Sequence, residues 1–503
     1  MSLSKKFSDQ RIPWFWIGML GIFLVSLALR FWGLGRFNAL VFDEVYYAKF
    51  GNNYLTHTKF FDGHPPLSKY LIAISMWIGD RLPFGQDTVN SLTGSPHSTW
   101  SYRWLNALTG SFVPWVIAAI AYQLSYRRSY ALIAGIFAAA DGMFLVESRY
   151  ALNNVFLVIL GLLGQLFLLL ALGARSSRRW SFLAIAGVFF GCAASIKWNG
   201  LWFLLGAYFI WIAAWVLQRI RNDVVDESKV SELALPQERL LPLQKLTQLN
   251  LLTFLTNFFI IPVIAYSLIW IPHIQQNPEY GLVEVQKQIL SYHQRVGGND
   301  VHPYCSPWWS WLLMLRPIAY YYKTASNTAA PIPELPPLPP GATGQLIYDV
   351  HSIGNPILWW LSTGAILFLL FHVAKSVAVA KGFFSKPPTP ETWIALYLVL
   401  NWLANLLPWV RVTRCTFLYH YIGCSVFSLL ALAWIVDRWL TSYKREYRAI
   451  ALTAIFFILM AFLFWMPIYL GLPLSPEAYR LRMPYFNISG LPPWLQQLLP
   501  RWI

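Results

Sequence analysis

The chain has 503 residues, of which 57% are hydrophobic and only 12% are charged, and its formal net charge is +16. Soluble globular proteins carry about 25% charged residues, so this composition excludes an ordinary soluble domain and indicates a polytopic membrane protein. Most basic residues lie between apolar stretches, so membrane topology explains the positive charge and no nucleic-acid partner is needed.

The apolar stretches predict an all-α polytopic membrane protein with about 11 transmembrane helices, each suited to a hydrocarbon core of about 30 Å. The first stretch lacks a small-residue cleavage site, so we interpret it as a membrane helix and not as a signal peptide. The predicted spans are 13–32, 104–124, 130–146, 153–172, 181–197, 200–218, 250–271, 353–374, 391–408, 416–436 and 449–470.

Basic residues predict the orientation of these helices. Clusters precede the first span and follow every second span thereafter, which places the N-terminus in the cytoplasm and the C-terminus outside. Residues 1–471 then form the transmembrane domain, within the cytoplasmic membrane. The outer face receives residues 33–103, residues 272–352 and the tail 472–503.

An acidic pair, Asp43-Glu44, opens the first outer loop. Carboxylates beside a membrane are costly unless they meet water, a partner or a cavity, so the pair is a candidate functional site. The alternative is a solvated start of the loop.

The stretch "FDGHPPLSKY" (61–70) follows in the same loop. Its two prolines predict a rigid corner at His64, and the apolar spacing after it predicts an interfacial helix. Lys69 would lie on the polar side of that helix, where it either holds an anionic head group or extends toward water.

The second large outer loop contains "VHPYCSPWWSWLLMLRP" (301–317), with His302, Tyr304, Trp308 and Trp309. Such aromatic residues suit contacts with an acceptor, a sugar or lipid, although taken by themselves they favour an interfacial aromatic belt. A proline-rich extended linker follows at 331–341. The four cysteines have no metal-ligand spacing, and a Cys305–Cys415 bridge is possible because both residues are predicted on the outer face.

Several arginines also lie on the predicted outer face, where cations should be depleted: Arg103, Arg149, Arg411 and Arg414. They either bind a phosphate or pair with Asp43, Glu44 or Glu147.

The ordered motifs "FDE", "HPPLSK", "RWLNALTG", "SRYALNN", "IKWNGL", "HPYCSPWW", "GNPILWW" and "FLYHY" resemble the bacterial form of the protein O-mannosyltransferase family. The resemblance covers nearly the whole chain. It implies the C-type glycosyltransferase fold, a polyprenyl-phosphate-mannose donor, and acceptor Ser or Thr hydroxyls in exported proteins outside the membrane. By position, Asp43 resembles the catalytic acid of the family's Asp-Glu pair, and His64, Lys69 and Arg103 match positions lining the donor-phosphate region. This chain departs from the pattern at Asn154, where an aspartate is usual, and at Gly423, where a proline is common.

As a mechanism, we expect Asp43 to remove the proton of the acceptor hydroxyl during direct, inverting attack on the sugar. Glu44 would orient it or pair with a cation. The departing phosphate would be stabilised by Lys69 and Arg103, and by Arg149 or Arg414. No cofactor is expected; a divalent cation on the acidic pair is the second choice, because two carboxylates fall short of about six oxygen ligands.

Two other functions remain open. A transferase of the same fold could use another lipid-linked sugar, or a lipid or glycan acceptor. A lipid or sugar transporter would instead place its polar residues near the bilayer midplane and within repeats, and the sequence shows no repeat.

Overall fold

The computed structural model describes residues 13–224, 242–298, 301–327, 331–342, 344–378, 389–483 and 502. The predicted outer tail lies largely outside the described residues, as do the N-terminal lysines and most of the cytoplasmic loop that follows the sixth predicted span.

Every predicted span coincides with a helix or with a pair of helices. Among the described residues, nine helical stretches are long and apolar enough to cross a membrane, counting Leu251–Gln276 and Pro390–Arg411 as one stretch each, and one bent pair raises the number to ten. The helix at 176–194 coincides with a predicted span but is not among them. The helices are α1 (Trp14–Phe31), α2 (Glu44–Leu55), α3 (Leu67–Gly79), α4 (Trp104–Ser125), α5 (Arg128–Ala139), α6 (Gly142–Arg149), α7 (Asn154–Gly173), α8 (Ser176–Ala194), α9 (Leu201–Val224), α10 (Pro242–Leu246), α11 (Leu251–Leu255), α12 (Ile261–Gln276), α13 (Leu282–Arg295), α14 (Pro356–Ala378), α15 (Pro390–Leu406), α16 (Ile422–Leu440), α17 (Arg445–Leu470) and α18 (Pro476–Arg482).

The predicted span at 130–146 is broken into α5 and α6, which are bent by 58°. Asp141 caps the second helix, because its carboxylate accepts a hydrogen bond of 3.0 Å from the amide of Phe144. The Asn355 side chain donates to the carbonyl of Ala140 at 3.0 Å, and so satisfies a group that the break leaves free. This break delivers α6, with Glu147 and Arg149, to the outer loops.

The outer loops also contain two small antiparallel strand pairs, which the sequence analysis does not predict. Strands β1 (Val89–Asn90) and β2 (His97–Ser98) pair in the first loop, and β3 (Ile318–Ser326) pairs with β4 (Gln345–Ser352) in the second. The tyrosine-rich run of β3 has the composition of a strand, although its aromatic content also suits a membrane interface. The fold is therefore mostly helical, as predicted, with a hairpin added to the large outer loop.

The segments predicted on the outer side lie together. The amide of Leu67 donates to the carbonyl of Ser195 at 3.0 Å, which joins the first loop to the turn after α8. The amide of Asn38 donates to Glu334 in the proline-rich linker at 3.0 Å. Cys305 and Cys415 form a disulfide, so the bridge that the sequence allows is present.

Candidate active site

Asp43 lies immediately before α2, after a strained backbone turn. Phe42 has a φ of 52°, a left-handed conformation that aromatic residues rarely adopt. The Phe42 ring stacks on Tyr320 with 4.1 Å between ring centroids, which helps to hold the turn. Among the described residues, none donates a hydrogen bond to the Asp43 carboxylate, and the residue is only partly covered. Both carboxylate oxygens therefore remain available to a ligand.

The electrostatic surroundings of Asp43 make it a weak acid that is still ionised at neutral pH. Burial of the carboxylate raises its pKa to about 6; the positive charge of Lys197 lowers the pKa, and the negative charge of Asp62 raises it. A general base works best when its pKa lies near the operating pH. The Asp43 carboxylate fits this requirement.

Lys197 is the functional candidate that the sequence analysis misses. Its ammonium group donates to the side-chain oxygen of Asn154 at 3.0 Å and lies 5.1 Å from the centre of the Tyr419 ring. The side chain is only 5% exposed. Burial lowers its pKa, while the carboxylates of Asp43 and Glu147 raise it. A signal was present in the sequence, because a lysine at the outer end of a span in "IKWNG" is as unexpected as the outer arginines.

Lys197 is held by a buried polar cluster that consists of Asn154, Glu147 and Tyr320. Glu147 is fully buried and accepts hydrogen bonds from the Asn154 amide at 3.0 Å and from the Tyr320 hydroxyl. The Asn154 amide thus donates to a carboxylate and accepts from a lysine at the same time, which an ionised aspartate at this position cannot do. The resemblance leaves the role of residue 154 open, and the structure assigns it this bridge.

Glu44 and Arg103 form a buried ion pair. Two hydrogen bonds of 2.7 and 2.9 Å join them, and neither side chain is exposed. The other three N–H groups of Arg103 donate to carbonyl oxygens of the loop that precedes Asp43, those of Leu34, Phe37 and Ala39. Glu44 in turn accepts from the backbone amides of Val41 and Ala151.

For both residues, this geometry favours internal pairing over contact with a substrate. All five guanidinium N–H groups of Arg103 are committed to protein oxygens, so none remains for a phosphate. Glu44 pairs with a cation, as the sequence analysis allows, but its burial and its four hydrogen bonds exclude it from contact with a substrate. The pair instead holds the loop that carries Asp43.

Lys69 is also committed to the protein. Its ammonium group donates to Asp62 at 2.5 Å and to the carbonyl oxygens of His64 and Pro65 at 2.8 Å, and the residue is 1% exposed. These bonds use all three of its donors and stabilise the His-Pro-Pro corner. The predicted helix is confirmed as α3, but Lys69 points into the loop and has no donor left for a phosphate.

Arg149 lies behind the site. Its guanidinium donates to four carbonyl oxygens where α1 ends, those of Leu29, Arg30, Trp32 and Gly33, at 2.7 to 3.2 Å. Helix ends leave carbonyl groups unsatisfied, and a cation there is favourable. Arg149 therefore anchors the end of α1 and is not placed to bind a phosphate.

His64 and Arg414 do face the region around Asp43. The His64 ring lies 5.3 Å from that of His293 on α13, and burial lowers the pKa of both imidazoles, to about 4 for His293. The charges of Lys197 and Arg414 lower both pKa values further, so the two rings are neutral at pH 7. Gly63 permits the loop to pack closely against α13, because a Cβ there would lie 2.4 Å from the ring of Tyr292.

Among the predicted phosphate-binding cations, Arg414 makes the fewest hydrogen bonds to the described residues. Its Nη1 group donates to the carbonyl of Cys415 at 2.9 Å, and the side chain is half-buried. Its charge acts on Lys197 and on both histidines. The charge of Lys197 therefore acts on the Asp43 carboxylate directly, whereas Arg414 acts on Lys197 and shares the neighbours Tyr292 and Tyr419 with Asp43.

The residues predicted to contact an acceptor or lipid lie in the second outer loop. His302 is exposed, and its ring is 5.4 Å from that of Phe417, which is 5.5 Å from Tyr419 beside Lys197. The guanidinium of Arg316 covers the Tyr304 ring, 4.9 Å from its centre. Trp308 and Trp309 are half-buried at the start of a 3₁₀ turn. Contact of these residues with an acceptor or lipid stays a prediction.

The described residues contain no group of three or more His, Cys, Asp or Glu side chains arranged to hold a metal ion. The carboxylates of the predicted acidic pair also point to different surroundings, because Glu44 binds Arg103 while Asp43 faces Lys197. The pair therefore does not fit a shared divalent cation. Metal independence of the reaction stays a prediction.

Comparison with known proteins identifies the family. The family model "Dolichyl-phosphate-mannose-protein mannosyltransferase" matches residues 20–276, and "C-terminal four TMM region of protein-O-mannosyltransferase" matches residues 279–485. A polyprenol-phosphate-mannose–protein mannosyltransferase of Corynebacterium glutamicum is 26% identical over 394 residues, covering 66% of this chain and 65% of the relative. A protein of the same name from Mycolicibacterium smegmatis is 22% identical, covering 90% of this chain and 87% of the relative.

Solved structures share the fold. A chain of the Saccharomyces cerevisiae protein O-mannosyltransferase Pmt1-Pmt2 complex bound to the sugar donor superposes with a TM-score of 0.70 at 14% identity, over 98% of this chain and 96% of that chain. ArnT from Cupriavidus metallidurans bound to undecaprenyl phosphate gives a TM-score of 0.50 at 13% identity, over 91% and 76%. The fold is that of the C-type glycosyltransferases. With both halves matched by its models, the chain belongs to the dolichyl-phosphate-mannose–protein mannosyltransferase family.

Proposed function

We propose that the protein is an inverting glycosyltransferase that moves mannose from polyprenyl-phosphate-mannose to Ser or Thr hydroxyls of exported proteins. The names of the bacterial relatives support this donor and acceptor. The observation that carries the mechanism is the Asp43 carboxylate, which accepts no hydrogen bond from the described residues and has a pKa of about 6 beside a buried lysine. This carboxylate is therefore free to accept the proton of the acceptor hydroxyl.

The reaction proceeds by direct displacement. The acceptor oxygen attacks C1 of the sugar, its proton passes to Asp43, and the bond between C1 and the phosphate oxygen breaks. The products are the mannosylated hydroxyl, a protonated Asp43 and polyprenyl phosphate. A positioned base of this kind contributes about 10²- to 10⁴-fold to the rate.

Negative charge grows on the phosphate as the bond to C1 breaks, and we assign its stabilisation to Lys197 and Arg414. Cations placed where charge develops lower the barrier most when they are already oriented. Lys197 is oriented by Asn154, and Arg414 by the carbonyl of Cys415. These two replace Lys69 and Arg103, whose donors are all engaged elsewhere, and Arg149, whose two terminal nitrogens bind carbonyl oxygens at the end of α1. Because they supply the positive charge, the reaction needs no divalent cation.

The site belongs on the outer face of the cytoplasmic membrane. The Cys305–Cys415 disulfide supports this location, because disulfides form and persist in oxidising compartments outside the cytoplasm. The distribution of basic residues gives the same orientation independently.

Product analysis tests the proposed function. The protein, reconstituted in lipid nanodiscs, is incubated with labelled polyprenyl-phosphate-mannose, a Ser/Thr peptide and total membrane lipid, and the label is followed into peptide, lipid and free sugar. We expect labelled peptide whose mannose has the anomeric configuration opposite to that of the donor. Label in lipid or glycan alone would establish the same-fold alternative, and retention of configuration would exclude direct displacement by a hydroxyl that Asp43 deprotonates.

A further inference from the structure

A disulfide bond lies next to Arg414, one of the two proposed phosphate ligands. The disulfide joins Cys305 in the large outer loop to Cys415 in the turn before α16, across 110 positions of sequence, with 5.2 Å between the Cα atoms. Cys415 directly follows Arg414. The reaction itself has no use for these two sulfur atoms, so their position needs another explanation.

Hydrogen bonds concentrate on the same few residues. The amide of Ser306 donates to the carbonyl of Thr416 at 2.7 Å, and the Thr416 hydroxyl donates back to Ser306 at 2.8 Å. The amide of Cys415 donates to the carbonyl of Gly297 at 2.8 Å. The turn therefore attaches to two parts of the large outer loop, one beside Cys305 and one just after α13.

The turn is irregular in secondary structure. It lies between two 3₁₀ segments, Leu407–Arg411 and Leu418–Tyr421, and belongs to no helix or strand. Segments without a regular hydrogen-bond ladder open at low cost in free energy. The cross-link removes much of the conformational freedom that this turn and the loop would otherwise have.

One of the two disulfide-bonded residues also binds the Arg414 side chain. Nη1 of Arg414 donates to the carbonyl of Cys415 at 2.9 Å, so the guanidinium is held by the residue that is bonded to Cys305. The charge of this guanidinium acts on Lys197 and His64. Movement of Cys415 would therefore move a charge of the active site.

We propose that the Cys305–Cys415 disulfide positions Arg414 against the donor phosphate, and that its loss withdraws this cation from the site. Cys305 and Cys415 are positioning residues, which act through Arg414 and touch no substrate. The identity of the ligand as the donor phosphate rests on the proposed function, whereas the mechanical link between disulfide and guanidinium does not.

The experiment is a double-mutant cycle on the full chain in nanodiscs. Cys305→Ser, Arg414→Gln and the double variant are compared by the KM for donor, the KM for acceptor peptide, kcat and the thermal midpoint. Cys192→Ser is the matched control, because Cys192 is half-buried and unpaired. Should Cys305→Ser not fold, a phosphine is used to reduce the disulfide instead. The same kinetic constants are then measured before and after reduction for two proteins, Cys192→Ser and the double variant Cys192→Ser/Arg414→Gln.

We expect Arg414→Gln to lower kcat/KM for the donor by about 10- to 100-fold, the usual effect of losing a charge-assisted hydrogen bond. Cys305→Ser should lower kcat/KM for the donor and leave the acceptor KM unchanged, and the double variant should be no worse than Arg414→Gln alone. Losses that multiply in the double variant, or a normal kcat/KM for the donor in Cys305→Ser with an impaired Arg414→Gln, overturn the positioning role alone. A normal kcat/KM for the donor in Arg414→Gln removes the phosphate assignment, and the proposal falls with it.

Discussion

Replacement of Arg103 by methionine is expected to destabilise the fold and not to weaken donor binding specifically. The substitution removes a guanidinium whose five N–H groups bind Glu44 and three backbone carbonyls in a fully buried environment. Glu44 is then left as a buried, uncompensated charge. The Asp43 loop loses the contacts that define its course.

The magnitude follows from the burial of this pair. Removing one partner of a buried ion pair costs about 3–5 kcal/mol, because the remaining charge stays desolvated. The double variant Glu44→Gln/Arg103→Met removes both charges, so we expect it to be more stable than Arg103→Met alone. A surface pair provides the control: Lys59 and Glu279 lie 3.6 Å apart and are well exposed, and Lys59→Met should cost about 0–1 kcal/mol.

The assay is thermal unfolding of the purified variants in detergent, followed by tryptophan fluorescence, with the donor KM measured on the folded fraction. We expect a midpoint several degrees lower for Arg103→Met, partial recovery in the double variant, and a donor KM close to that of the wild type. A wild-type midpoint together with a strongly raised donor KM would refute this reasoning and return Arg103 to the phosphate site.

The remaining predictions concern the charges around the proposed base and the absence of a metal. Lys197 lowers the pKa of Asp43, so Lys197→Met should raise that pKa above about 6 and move the acidic limb of the kcat/KM–pH profile to higher pH; an unmoved limb contradicts the coupling. The folded-state pKa of Asp43 lies above its ordinary value of 3.8, so its ionisation costs stability as the pH rises through that interval. Asp43→Asn should therefore stabilise the fold by up to about 3 kcal/mol at pH 8 but not at pH 4, and equal midpoint shifts at both pH values contradict this. Asn154→Asp places a second carboxylate against the buried Glu147, so its loss of thermal stability should grow with pH, whereas a constant loss would mean that no charge repulsion is involved. Transfer should continue in excess EDTA, and a loss that Mg²⁺ or Mn²⁺ restores would show a metal requirement.

The helices were predictable because long apolar runs and their flanking charges are local features of the sequence. Asp43 became a candidate for the same reason, since a carboxylate at the end of a span must meet water, a partner or a cavity, and its role as the base stays a prediction. The disulfide was allowed by topology, but sequence alone could not show that Cys305 and Cys415 come within bonding distance.

The assignment of the cations could not be made from sequence. The predicted position of Lys69, Arg103, Arg149 and Arg414 on the outer face is unusual for cations, and either internal pairing or phosphate binding would explain it. Only the three-dimensional contacts show that the first three donate to protein oxygens. The β3–β4 hairpin escaped prediction because a tyrosine-rich run suits both a strand and a membrane interface.

The most direct measurement of the central claim is the transfer rate of Asp43→Asn with saturating polyprenyl-phosphate-mannose and a Ser/Thr peptide. Asp87→Asn is the control, because Asp87 is exposed in the same outer loop. We predict that kcat falls about 100-fold or more for Asp43→Asn, without a lower thermal midpoint, and stays at the wild-type value for Asp87→Asn. Near-normal transfer by a folded Asp43→Asn protein would contradict the assignment of Asp43 as the base.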